Sequence, residues 1–349
     1  MSILVWQNSL YKCIIKHRNG GNIMEAGKLP NEVLKDIIIS KIVPKNSEVL
    51  VGPDIGEDCA VIDFGEDVCV LTTDPVTATT NNAGTIGVHI CCNDIASAGV
   101  RPIGAMVTIL APVSCKLEDI KSIMDEVNRA CEELSIDVLG GHTEITDAVN
   151  RMVLSITAIG KGKKGEFIRT GGAKEGDDIV LTGFAGLEGT SILSKDYYEY
   201  LKDKLDEDTL KNAQNMLQDI SVVKAGLIAS KFGVTSMHDA TEGGVLGAIW
   251  EVAEASKKGA YVYENKIPIK KETLEICNVL NIDPYRLISS GCMVITCKDG
   301  EGLCKVLMEN GIEATVVGKI IERRKILNKD GVELEISPPE ADEIYKVKI

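Results

Sequence analysis

Aromatic side chains are scarce in this chain: four Phe, two Trp and eight Tyr make up 4% of its 349 residues. Hydrophobic residues still reach 44%, so the cores must be aliphatic, packed from Val, Ile, Leu and Ala. No stretch approaches the roughly 18 uninterrupted apolar residues that a membrane helix needs. Met1 to Leu10 lack a basic start followed by an apolar run, so export is not expected and the cytoplasm is the expected compartment. Eleven cysteines are present without a single CxxC pair. Cys91-Cys92, Cys131 and Cys292 lie in apolar or small-residue runs and read as reduced, buried thiols. A P-loop of the form GxxxxGKS/T is also missing, which excludes that class of nucleotide enzyme. Positive charge is in deficit: 38 Lys and Arg face 52 Asp and Glu, a formal net charge of -14. Nucleic acid and anionic membrane are repelled by such a field. An acidic protein that binds a polyphosphate needs divalent metal or helix N-termini to offset the repulsion.

The length suits about two domains. Residues 1–23 lack a clear period and end in Arg18-Asn19-Gly20-Gly21-Asn22-Ile23 before Met24. They read as an extra segment, either upstream of a true start at Met24 or an N-terminal arm. Apolar spacing predicts a helix from Gly27 to Lys41, then a Gly/Pro/Asp-rich loop over Val49–Asp58. Strands are expected at Cys59–Phe64, Val68–Thr73, Ile103–Leu110, Asp137–Leu139 and Met152–Ile159, with helices at Thr85–Gly99 and Leu117–Leu134. That order is α+β rather than a simple alternating wind. Gly160–Gly176 is rich in Gly and Lys and reads as a link. A second α/β unit follows, with strands at Asp178–Thr182, Met293–Cys297 and Thr315–Ile321. Its helices are expected near Gly189–Ser194, Asp208–Gln214, Val222–Phe232 and Gly244–Ser256.

Four acidic clusters fall at element ends or in apolar surroundings: Asp54-Ile55-Gly56-Glu57-Asp58, Thr72-Thr73-Asp74-Pro75, Asn93-Asp94 and His238-Asp239-Ala240-Thr241-Glu242-Gly243-Gly244. Asp94 sits in a helix that is apolar almost all round, where a carboxylate needs a partner or a metal. His89 and Asn93 lie one turn apart beside it. These polar groups read either as a site or as a satisfied core network. Gly140-Gly141-His142-Thr143-Glu144 and Gly183-Phe184-Ala185-Gly186-Leu187-Glu188-Gly189 each follow a short strand. Backbone N–H groups at such turns can face a phosphate, although for either one taken alone a plain tight turn is the better reading. His89, His142 and His238 fall within these segments and read as polar anchors or acid–base groups, since no HxxxH zinc spacing is present.

In order along the chain, CCNDIASAGVRP, GGHTE, TGFAGLEGTSIL, HDATEGGVLGAIWEVAEAS and LISSGCMVI resemble the AIR synthetase-like (PurM-like) superfamily, and within it the HypE branch of AIR synthase-related proteins. The resemblance runs from about Gly27 onward. It implies an α+β chain of two domains, a PurM-like N-terminal domain over residues 24–160 and a C-terminal-like α/β domain over residues 178–349, joined by a linker at 161–177. It implies a homodimer in which the N-terminal domains share a β-barrel. ATP would lie between the domains with Mg²⁺ bridging its phosphates to Asp58, Asp74, Asp94 and Asp239. Asp94, His142 and Asp239 would be the catalytic groups. Asn93, Gly140, Gly141, Thr143, Glu144, Gly183, Gly186, Gly189, Thr241, Gly243 and Gly244 would contact nucleotide or phosphate. The implied chemistry is activation of a carbonyl or acceptor oxygen by phosphoryl transfer, with an unidentified acceptor and a maturation partner protein.

HypE itself carries a terminal cysteine, whereas no cysteine follows Cys304 here. The alternatives are a nucleotide-binding accessory protein without turnover and a small-molecule kinase similar to thiamine-monophosphate kinase, whose GGDT is GGHTE in this chain.

Overall fold

The computed structural model describes residues 27–43, 45–77, 79 and 81–348; the extra segment 1–23 and the alternative start at Met24 lie outside them. The expected helix after Gly27 is shorter than its pattern, α1 (Asn31–Ile37) followed by a 3₁₀ turn at Ile39–Lys41. None of its residues is buried, and Ile37, Ile38, Ile42 and Val43 face solvent.

Strands β1 (Val49–Val51), β2 (Ala60–Phe64), β3 (Asp67–Val76), β4 (Arg101–Pro112), β5 (Asp137–Thr146) and β6 (Val153–Lys163) form one six-stranded sheet in the order β1-β2-β3-β6-β4-β5. Helices α2 (Ala83–Ser97) and α3 (Leu117–Leu134) cover one face of it. The alternation of buried and open positions along β3 and β6 matches a sheet covered on one side only. In α2 every residue but Thr85 and Ile90 is buried, as its all-round apolar sequence requires. By contrast α3 is amphipathic and buries only Ile123, Val127, Ala130 and Cys131. It is the crossover between β4 and β5, which run parallel.

One expectation fails at β5. Residues 140–144 continue the strand instead of turning out of it, and they pair with β4 from Met106 to Leu110. Gly141 makes this possible, because at φ +159° its backbone lies so close to Val107 that a Cβ would sit 1.8 Å from the Val107 carbonyl oxygen. The strand is an uncovered edge, exposed at every position but Thr146.

The second half is built on β7 (Asp178–Thr182), β8 (Ser236–Asp239), β9 (Gly259–Tyr263), β10 (Met293–Cys297), β11 (Ala314–Ile321), β12 (Lys325–Lys329) and β13 (Val332–Glu335), in the order β13-β12-β9-β11-β7-β10-β8. Its helices are α4 (Leu187–Asp196), α5 (Tyr198–Leu201), α6 (Glu207–Asn215), α7 (Val223–Phe232), α8 (Gly244–Ala255), α9 (Lys271–Leu280) and α10 (Gly300–Glu309). Strand β10, between β7 and the edge strand β8, is buried throughout. On one side it meets Val245 and Ile249 of α8, on the other Ala225 and Ala229 of α7 with Leu303 and Leu307 of α10.

The two halves are closely joined. The first core takes in Ile192, Leu217 and Ile220 from the second half. Where α7 crosses α2, a Cβ on Gly226 would lie 2.4 Å from the Ala96 carbonyl oxygen, so only glycine permits this approach. The crossing brings the end of α2 against β8, and this is where the carboxylates meet.

Candidate active site

Five carboxylates and one histidine from separate elements converge at the junction. Asp58 ends the loop before β2, Asp74 lies on β3, Asp94 on α2, His238 and Asp239 end β8, and Glu251 lies on α8. Asp94, His238 and Asp239 are buried. Single donor atoms of Asp58, His238 and Asp239 all fall within 4.8 Å of one another.

Neutral hydroxyls orient two of these carboxylates. Thr72 donates to Asp94 Oδ2 at 2.6 Å and Ser97 donates to Asp239 Oδ1 at 3.3 Å. The other oxygen of Asp239, Oδ2, is buried without a hydrogen-bond partner. His238 is held at both nitrogens, Nδ1 at 2.8 Å from Asp58 Oδ2 and Nε2 at 3.0 Å from Glu251 Oε2.

The electrostatics follow from burial and crowding. Burial, then the charges of Asp239, Asp74 and Asp58, pushes Asp94 well above the carboxylate range. Burial and then Asp58 raise Asp239 to about 7. Burial raises Asp58 as well, against the opposing charge of His238. For His238 burial disfavours the charged ring, but Asp58 and Glu251 outweigh it and hold the imidazolium well above the usual histidine range. In Glu251 the order is reversed: burial raises the carboxyl, yet its bond to His238 leaves it below its ordinary value.

An unpartnered buried carboxylate oxygen beside two carboxylates that resist ionising together is a donor set for a hard divalent cation such as Mg²⁺. Asp58, Asp94 and Asp239 fit that group. His238 does not serve as a ligand in this arrangement, because both its nitrogens are engaged. It anchors Asp58.

Several residues expected near phosphate have other duties. Asn93 is fully buried, its amide donating to the Ile220 carbonyl at 2.9 Å and its oxygen accepting from Val222 N–H at 2.9 Å. It therefore cannot line an open cleft. One residue along a helix turns the side chain by about 100°, away from the face that Asp94 presents. His89 also points elsewhere, with Nε2 3.5 Å from Glu133 on α3.

The glycine turns are likewise committed. Gly183 N–H donates to Glu313 O at 2.9 Å, Gly186 N–H to the Ser289 hydroxyl at 2.7 Å and Gly189 N–H to Ile288 O at 3.1 Å. None is left for a phosphate. At the start of α8, Gly243 N–H donates to Asp342 Oδ2 at 2.7 Å and Gly244 N–H to Thr241 O at 3.0 Å. Here a carboxylate of the C-terminal segment already occupies the helix N-terminus.

His142, Thr143 and Glu144 do not reach the carboxylate cluster of their own chain. The register runs Pro75 to Ser155, Ser155 to Thr108 and Thr108 to His142, so His142 is three strands away from the residue after Asp74. That is about 14 Å at the usual strand spacing. Gly140 and Gly141 lie on the same edge strand, and His142 there faces Glu144 at 3.6 Å, both exposed.

Two groups of the site escaped the sequence reading. Glu251 follows Trp250 in an apolar helix, the same signal that marked Asp94. Lys28 donates from its backbone N–H to Glu242 Oε2 and from Nζ to Thr241 Oγ1, both at 3.1 Å, and nothing in the sequence near it indicated this. Cys92 and Cys292 are buried among apolar groups that push both thiols up to about 12, as their surroundings suggested.

Known proteins agree with this architecture. The AIR synthase related protein N-terminal domain matches residues 56–161 and the C-terminal domain matches residues 174–327. A putative hydrogenase expression/formation protein of Methanocaldococcus jannaschii is 28% identical over 308 residues, covering 86% of this chain and 90% of that protein. A carbamoyl dehydratase HypE of Rhizobium leguminosarum bv. viciae is 28% identical over 269 residues, 72% of this chain and 73% of its own. Among solved structures, the HypE-HypF complex superposes with a TM-score of 0.74 at 20% identity, over 88% of this chain and 99% of that one. HypE in complex with ATP gives 0.66 at 18% identity, over 92% and 97%. AaThiL complexed with AMPPCP and TMP gives 0.71 at 18% identity, over 91% and 98%. With both domains matched in order and the two-sheet α+β fold beneath them, the chain belongs to the AIR synthase related protein family.

Proposed function

We propose that this chain is an ATP- and Mg²⁺-dependent enzyme of HypE type, activating a carbonyl or acceptor oxygen by phosphoryl transfer in hydrogenase maturation. The relatives at 28% identity are a hydrogenase expression/formation protein and a carbamoyl dehydratase HypE, and a HypE of the same fold has been solved with ATP. The observation that carries the reading is Asp239 Oδ2, buried and unpartnered beside Asp58 and Asp94.

Mg²⁺ bound there would neutralise phosphate charge that an acidic protein otherwise repels. Asp58, Asp94 and Asp239 supply the oxygen ligands, with Asp74 beside them. Thr72 and Ser97 fix the carboxylate planes, and His238 with Glu251 fixes Asp58. Such a site acts by positioning and by charge stabilisation of the transferred group rather than by a protein nucleophile.

A second copy of the chain would cover the open face of the first sheet, where Ile103 and Met106 of β4 are exposed beside the uncovered edge strand with Leu139 and Ile145. The HypE-HypF complex makes a maturation protein the class of macromolecular partner to test. The cytoplasm is the proposed compartment; no helix among the described residues is long and apolar enough to cross a membrane.

The experiment is phosphate release from ATP with and without Mg²⁺ in the presence of the maturation partner. Mg²⁺-dependent release supports the enzyme. Tight binding with no release under any of these conditions would instead favour a nucleotide-binding accessory protein.

A further inference from the structure

We propose that Lys28 supplies the cationic contact to the phosphate groups of the nucleotide held at Asp58, Asp94 and Asp239. The inference deepens the ATP reading of that site and rests on it.

The segment before α1 is tied across the loop that follows β8. Lys28 N–H donates to Glu242 Oε2 at 3.1 Å. Gly27 packs on the Tyr345 ring, where a Cβ would lie 3.3 Å from Cε2, and the Tyr345 hydroxyl donates to Glu242 Oε1 at 3.3 Å. These contacts fix the backbone from which the lysine side chain extends, and its Nζ donates to Thr241 Oγ1 at 3.1 Å, two residues beyond Asp239.

The electrostatic setting is unusual for a lysine. Its side chain is exposed, so the loss of hydration that would work against the ammonium form is incomplete, and the charges of Glu251, Glu242, Asp74 and Asp94 keep it protonated. Even so, among the described residues no carboxylate oxygen forms an ion pair with Nζ; its one side-chain bond is to a neutral hydroxyl. An ammonium group has three donors, and two stay available. Near several acidic groups yet ion-paired with none of them among the described residues, the Lys28 ammonium is a positive charge positioned at Thr241, two residues from Asp239. A phosphate chain held through a metal at Asp58, Asp94 and Asp239 would need a cationic donor for its remaining oxygens, and a lysine point charge beside Thr241 would supply it.

The test compares Lys28→Gln and Lys28→Arg with the unaltered protein in three titrations: ATP at saturating Mg²⁺, inorganic tripolyphosphate at saturating Mg²⁺, and Mn²⁺ alone followed by its paramagnetic signal. Lys28→Gln is expected to weaken ATP and tripolyphosphate by the same factor, about tenfold, the size of a lost charge-assisted hydrogen bond. Mn²⁺ alone is expected to bind as well or more tightly, because a competing positive charge has been removed from beside its ligands. Lys28→Arg is expected to restore most of the phosphate affinity. Wild-type phosphate affinity in Lys28→Gln, or a parallel loss of Mn²⁺ binding, would overturn the proposal. If the unaltered protein itself binds neither ATP nor tripolyphosphate, the ATP reading fails first, a different outcome from binding that ignores Lys28.

Discussion

His238 and Asp58 lie 180 residues apart in sequence and are joined at 2.8 Å through Nδ1 and Oδ2. The bond links β8 to the loop before β2, so it couples the two halves of the chain at the point where the carboxylates gather. With Glu251 on its other nitrogen at 3.0 Å, the ring is a buried cation between two anions. Removing it leaves two buried carboxylates uncompensated, which costs about 3 kcal/mol or more. His238→Ala is therefore expected to lower the unfolding free energy, read from urea titration at pH 7.5, by an amount of that order. A change below about 1 kcal/mol would mean that the ring contributes no net pairing.

Asp94→Asn should separate stability from binding. It keeps the volume and an acceptor for Thr72, and it removes one charge from a crowded cluster. The metal-free protein is expected to unfold at the same or a higher temperature, while Mg²⁺-dependent ATP binding is lost. Unchanged nucleotide affinity in the folded variant would contradict the assignment of Asp94 to the metal.

The pH dependence has a definite sign. Asp239 rises to about 7 in the folded chain and Asp94 rises as well, so both bind protons more tightly folded than unfolded. Their contribution to stability is fully present below the unfolded carboxylate range near 4, and it is lost as pH climbs through 7. Mg²⁺ bound at the proposed site would replace those protons. Its stabilising effect, read as a shift in melting temperature, should be small at pH 5 and grow through pH 8. A shift that is flat across this range would place the metal elsewhere.

Asn93→Ala tests a structural role against a phosphate role. Loss of the bonds to Ile220 and Val222 should destabilise the chain by about 2 kcal/mol. ATP affinity of the folded fraction should stay within about twofold. A large affinity loss without a stability change would return Asn93 to the nucleotide site.

Met106→Glu on the open face of the first sheet should give monomers by light scattering at micromolar concentration, where the unaltered chain is expected to be a dimer. A dimer that survives the substitution would move the interface away from this sheet.

Much of the site was legible because burial is costly for charge. Asp94 stands in a helix without another ionic residue, and Asp58, Asp74 and Asp239 lie in strands or the loop leading to one, so each had to have a partner. The same logic extends to Glu251, which stands in a helix whose one other ionic residue is Glu254. What the sequence could not convey was direction. Asn93 and Asp94 are adjacent letters on different helix faces, and His142 shares a sheet with Asp74 at three strands' remove. The Gly140-Gly141 pair reads as a turn from composition alone, whereas the ladder with β4 draws it into a strand. Gly183 and Gly186 do lie between β7 and α4, and Gly189 in the first turn of α4, but Glu313, Ser289 and Ile288, about a hundred residues later or more, take their amides. Lys28 acquires its meaning only when the chain returns to Thr241 and Glu242 some two hundred residues on.

The most direct test of the proposed function is calorimetric titration of ATP into the protein with and without Mg²⁺, followed on the same samples by phosphate release with the maturation partner present. Binding that requires Mg²⁺, disappears in Asp94→Asn and leads to phosphate release is the expected result. ATP binding of equal strength with EDTA in place of Mg²⁺, or none in either condition, would contradict a metal-bridged nucleotide at Asp58, Asp94 and Asp239.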